Sequence, residues 1–161
     1  MRDPDRPLHP ASKLLLKALK RADVPAYAYP DIDGSDWFAV KDDGIQRVPV
    51  RIASVIPTKH WLSGKPEILI QIDAHPHKSD RVSAADFMKR VDAWATALAT
   101  RYNWSRFVGQ EARRTGEGVA RAGRRLEKER PDLLPSTYGG GFPAGTVRYF
   151  PADDGPVDDD E

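Results

Sequence analysis

Asp73, His75, His77, Lys78 and Asp80 are the densest group of side chains in this sequence that could do chemistry. Two imidazoles and two carboxylates together suit several divalent ions. On an extended strand Gln71, Asp73 and His75 share one face, because side chains alternate with period two, and His77 follows Pro76 in a turn. The plainer reading is a polar outer strand face and then a turn in which Ser79 or Asp80 helps to start a helix. That reading is adopted, so no metal ligand is assigned.

Other chemistries need sets that are incomplete here. A nuclease of the restriction-endonuclease type holds magnesium between two acids beside a lysine. The nearest set is Asp42 or Asp43, then Glu67 or Asp73, with Lys78. Gln71-Ile-Asp73 does not supply the acid, one residue, lysine triplet, since Lys78 lies five residues beyond Asp73. No Gly-x-Ser-x-Gly elbow occurs, no cysteine can act as nucleophile, and Gly139-Gly-Gly141 lacks the lysine and hydroxyl of a phosphate loop. The expectation is a protein that is not an enzyme, with no catalytic residue and no cofactor. Arg101, Arg106, Arg113, Arg114, Arg121, Arg124 and Arg125, interleaved with Tyr102, Trp104 and Phe107, could contact phosphates and stack on bases. Arginines in such sets also pair with carboxylates across subunit interfaces.

The elements that position these residues centre on residues 65–103. Ile68, Ile70, Ile72 and Ala74 fall on one face of a strand that must be buried. Ser83 and Asp86 then fit a capping box that opens a helix. Phe87, Val91, Trp94, Ala95, Leu98 and Tyr102 recur at spacings of three and four and give it an apolar stripe. Earlier in the chain, residues 1–10 read as an extended arm, and Ser12 caps a first helix that buries Leu15 and Leu19 and ends near Asp23. Residues 26–34 read as a loop or irregular edge, and residues 37–40 as a short strand. The turn 41–44 closes on a glycine placed for positive φ. The return strand is residues 46–56, lying at an edge or starting beyond Pro49, which cannot donate to a ladder. Residues 57–64 read as a loop. Beyond Asn103 the basic segment, 105–130, reads as a helix from Phe107 to Glu129, weakened by Gly109, Gly116, Gly118 and Gly123, each costing about 1 kcal/mol inside a helix relative to alanine. Residues 146–150 could add a last strand.

A chain of 161 residues, 40% hydrophobic and 30% charged, suits one domain, here residues 11–150, with an arm before it and an acidic tail, 151–161, after it. No apolar run is long enough to cross a membrane, the first residues lack the apolar core of a signal peptide, and cysteine is absent. Residues 101–130 carry nine Lys or Arg against four Glu, whereas residues 153–161 carry six carboxylates and no cation. The two could attract each other. The plainer reading is a solvated helix face and a disordered tail.

The order of a helix, a hairpin-like pair, the strand Ile-Leu-Ile-Gln-Ile-Asp (68–73) and the helix Phe-Met-Lys-Arg-Val-Asp-Ala-Trp-Ala-Thr-Ala-Leu (87–98) resembles the tail terminator and tail completion proteins of long-tailed bacteriophages. The resemblance covers about half of the chain and lies in order and pattern. It implies an α+β fold of two layers, a small and mostly antiparallel sheet with helices on one face and extended termini. It also implies a ring, usually of six copies, that caps the tail tube and joins it to the head. Partners would then be further copies of the chain, the tail tube protein and a head–tail connector or stopper protein, with transient contact to passing DNA and none to a membrane. The location would be the virion tail or neck, after assembly in the host cytoplasm. A neck or head-completion protein, and a metal-dependent nuclease using Asp73, His75 and His77, are the alternatives. For a ring, the expected interface residues are Arg113, Arg114, Arg121, Arg124 and Arg125 with Val48 and Val50 of an exposed edge strand.

Overall fold

Five strands form one antiparallel sheet in their chain order: β1 (Ala26–Pro30), β2 (Asp36–Val40), β3 (Val50–Lys59), β4 (Pro66–Ile72) and β5 (His75–Ser83). The helices are α1 (Pro10–Arg21), α2 (Ala84–Thr115) and α3 (Val119–Glu129), followed by a single 3-10 turn, Pro131–Leu133. The computed structural model describes residues 1–72 and 75–133. The fold is α+β.

Period-two alternation sets which face of the sheet is buried. Phe38, Val55, Ile68, Ile70 and Val82 lie on one face across four strands and are buried. Helix α1 adds Ala11, Leu15, Ala18 and Leu19 to this core, and α2 adds Phe87, Val91, Trp94, Ala95 and Leu98. Phe87 and Trp94 are in tilted contact, with centroids 5.1 Å apart. The opposite face carries Tyr29, Trp37, Ile56, Leu69 and Gln71, all half-buried. There the Arg51 guanidinium lies 4.3 Å from the Trp37 ring centroid and Nε donates to the Tyr29 hydroxyl at 3.1 Å.

Helix α2 starts as its sequence requires, with the Ser83 hydroxyl accepting from the Asp86 amide at 3.1 Å. It runs for 32 residues, about 48 Å, and so continues well past the sheet. The helix expected over residues 107–129 is thus in part the continuation of α2 and in part α3. Gly109 does not break the helix; Gly116 does, with a left-handed φ of 77° and its amide bonded to the Ala112 carbonyl. Beyond the sheet, Trp104, Val108 and Ala112 of α2 meet Ala122 and Leu126 of α3 in a second, smaller core.

Several expectations change in position. Ser12 is not the cap of α1: His9 is, its Nδ1 accepting from the Ala11 amide at 3.0 Å, while the buried Ser12 hydroxyl donates to Asp36 at 2.6 Å. Helix α1 closes with Asp23 left-handed and the Val24 amide bonded to the Leu19 carbonyl. Of the two readings for residues 26–34, residues 26–30 take the edge one, as the regular strand β1. β3 begins at Val50, beyond Pro49, and is the middle strand, so it is no exposed edge; it also takes in Pro57, Thr58 and Lys59, paired with β4. The polar stretch 75–80 is strand, paired with β4 through an irregular register at Gln71/Ile72. An edge strand needs no alternating apolar pattern once β4 supplies its ladder.

The first residues are extended but held by their own chain. Arg2 bridges to Asp31, the Ile32 amide donates to the Met1 carbonyl, and Arg6 donates to Asp36 and to the carbonyls of Asp31 and Ser35. The candidate strand 146–150, the glycine triplet and the acidic tail lie outside the described residues.

Candidate functional site

The loop between β2 and β3 lies directly on the outer half of α2. Asp43 shapes it: buried, it accepts from the amides of Ile45 at 2.9 Å and Gln46 at 2.7 Å. Burial pushes its carboxyl above the ordinary value, against those two hydrogen bonds. Gly44 follows with φ 91°, a conformation that a side chain would strain. Its carbonyl rests on Gly109, where an added Cβ would stand 1.9 Å from the Gly44 oxygen. Arg113 Nη1 donates to the same carbonyl at 2.8 Å.

This seating forms a cleft of about 520 Å³ lined by Pro25, Tyr27, Lys41, Asp42, Gly44, Tyr102, Arg106, Gln110 and Arg113. Tyr102, Arg106, Gln110 and Arg113 recur at three- and four-residue spacing and so share one side of α2. Three cations face one carboxylate, and Asp42 already accepts from the Gly44 amide at 2.7 Å. Among the described residues no carboxylate pairs with Lys41, Arg106 or Arg113.

The neighbouring arginines differ. Arg114 donates to Glu111 through Nε at 3.0 Å and Nη2 at 2.9 Å. Arg125 reaches Glu117 at 2.7 Å, Glu129 at 3.0 Å and Glu111 at 3.3 Å. The hydrogen bonds from Arg114, with Arg125 adding to them, hold the Glu111 carboxyl down at about 2. Glu117 is lowered chiefly by Arg125.

The residues singled out in the sequence are thus scattered. Arg113 lines the cleft, Arg114 and Arg125 are neutralised inside the chain, and Arg121 and Arg124 are exposed on α3, where Arg121 adds a weaker pull on Glu117 behind Arg125. Val50 is buried in the main core, whereas Val48 is 57% exposed. Of the aromatics named for stacking, Tyr102 and Trp104 are buried, as is Arg101, while Phe107 is half-buried with the Arg130 guanidinium carbon 5.9 Å from its ring centroid. Asp73 lies outside the described residues, and His75, His77, Lys78 and Asp80 belong to β5. No group of three or more potential metal-ligating side chains comes together among the described residues. Asp42 and Asp43 precede β3, whereas Glu67 pairs with Thr58 near its far end, roughly 25 Å away at about 3.3 Å per residue. Asp42 or Asp43 and Glu67 are therefore not brought together, and the alternative acid, Asp73, lies outside the described residues. Lys41, Gln110 and Tyr27 were not singled out, since the β1–β2 ladder and the Gly44–Gly109 contact that set Tyr27 and Lys41 beside α2 are long-range.

No described helix is long and apolar enough to cross a membrane. Comparison of the chain with protein-family models, with curated proteins and with solved structures finds no match.

Proposed function

We propose that this chain is a structural subunit that assembles with copies of itself into a ring, in the role that tail terminator proteins fill at the end of a bacteriophage tail tube. The observation that carries the reading is the apolar tip between β3 and β4. Trp61 is 85% exposed and Leu62 72% exposed, side by side on a turn held by the His60 imidazole, which accepts from the Leu62 and Ser63 amides at 3.2 Å. Large apolar side chains grouped at a projecting turn suit burial in a partner.

Two further features support it. Among the described residues β1 and β5 are the two different edge strands of one sheet, with the first residues of the chain covering only the Pro30 end of β1. Edges of unlike sequence favour head-to-tail contact, which makes rings when the rotation closes. The role would be mechanical, with the tail tube protein and a head–tail connector protein as neighbours, in the neck of the virion. The docked first residues offer no free arm for exchange, so the tip and the sheet edges carry the association.

Native mass spectrometry of the purified protein over a concentration series tests this reading. A discrete oligomer, expected to be a hexamer, that dissociates when Trp61 and Leu62 are both replaced by Ser, supports it. A strict monomer at every concentration overturns it.

A further inference from the structure

We propose that the cleft between the β2–β3 loop and α2 binds a ligand carrying at least two phosphate groups. This is independent of ring assembly. Lys41, Arg106 and Arg113 bring three positive charges to one concavity, and only Asp42 opposes them. Like charges gathered without counter-charge repel one another, and a bound anion relieves that cost. On the opposite flank of α2 the chain neutralises Arg114 and Arg125, which are paired with three glutamates between them. In the cleft it does not.

The arrangement is also built rather than incidental. The loop that carries Lys41 is held against α2 by the Gly44–Gly109 backbone contact, and Arg113 is oriented by its bond to the Gly44 carbonyl. The Arg106 guanidinium carbon lies 5.7 Å from the Tyr102 ring centroid, with Nη1 3.5 Å from the Tyr102 hydroxyl. Both guanidinium groups keep further N–H donors for oxyanions, and planar forks of this kind match phosphate geometry. Arg106 and Arg113 lie seven residues apart, about 10 Å along the helix axis. They are thus set to hold two separate anionic groups, with Lys41 closing from the loop. The Gln110 carboxamide between them and the Tyr27 side chain at the wall supply neutral polar contacts. The volume is in the range of small-molecule sites.

Successive phosphates come from a nucleoside diphosphate or from a nucleic-acid backbone. Calorimetric titration of the full chain at low salt, with pyrophosphate, ADP and a short thymidylate oligomer as probes, separates these sources. Binding of pyrophosphate and ADP points to a free nucleotide, and binding of the oligomer alone points to a strand. In either case Arg106→Gln with Arg113→Gln, and separately Lys41→Gln, should weaken binding at least about tenfold. Arg121→Gln with Arg124→Gln removes two exposed cations outside the cleft and should change the affinity for the bound probe less than about twofold. Unchanged urea midpoints show that the variants fold. The proposal fails if none of the three probes binds, or if the Arg121/Arg124 pair weakens binding as much as the cleft variants.

Discussion

Arg113 and Arg114 are neighbours in sequence, yet they belong to two flanks of α2 with opposite electrostatics. On one flank Arg114 and Arg125 share Glu111, Glu117 and Glu129 in a closed set of ion pairs. On the other, Arg113 joins Arg106 and Lys41 around a cleft with one opposing carboxylate. The excess of five cations counted along residues 101–130 says nothing of this division. What separates the flanks is what each meets: Glu111 of α2 itself, Glu117 of the turn and Glu129 of α3 surround Arg114 and Arg125, whereas the β2–β3 loop brings a lysine, a carbonyl and backbone to the other side.

Both flanks stand on the small core around Trp104, so the largest effect is expected from emptying it. Trp104→Ala should cost about 3–5 kcal/mol, read by urea unfolding, and should abolish both the ion-pair set and the cleft. Gly109→Ala comes next. Its Cβ would drive into the Gly44 carbonyl, which is backbone, for about 1–3 kcal/mol. It should displace the loop and leave the paired flank intact, so acid sensitivity persists while the cleft is lost. If Gly109→Ala is neutral, the loop is not seated as described.

The paired flank has its own signature in pH. A carboxyl held below its ordinary value contributes stability that is fully present above the unfolded pKa of 4.5 and is lost as pH falls through the folded value, about 2 for Glu111. Wild-type urea midpoints should fall in that window. Glu111→Gln and Arg125→Met should each lower the midpoint at neutral pH and flatten the acid limb. Parallel curves for wild type and Glu111→Gln would mean that the pairs do not stabilise the fold. The smallest effect belongs to the cleft: Arg106→Gln removes no ion pair and should leave the midpoint within about 0.5 kcal/mol.

Legibility in the sequence follows the range of the contacts. The start of α2, the buried face of β4 and the glycine turn at Gly44 depend on residues a few positions apart, and local pattern was enough to find them. Ser12 misled because its hydroxyl is taken by Asp36, 24 residues away, leaving the cap to His9. β5 was hidden by its polar composition, since only the β4 ladder makes it a strand. Gly109 reads as a helix breaker along the chain, but its missing side chain is needed for the loop to approach from residue 44. The cleft depends on that same contact, so Arg113 was found as a charged residue without Lys41 or Gln110 being joined to it. The tip at Trp61 and Leu62 was placed in a loop, yet its projection depends on β3 running on to Lys59.

α2 serves both cores as one uninterrupted rod. The helical hairpin can therefore fray from its outer end, releasing α3 and the loop, while the sheet and the inner half of the helix stay folded. The chain thus has two tiers of opening. Amides of α3 and of the last turns of α2 should exchange with solvent deuterium well before those of β3. Any ligand that clamps the loop to the helix would slow the outer tier alone, so occupancy of the cleft would be written in exchange times far from the residues it touches.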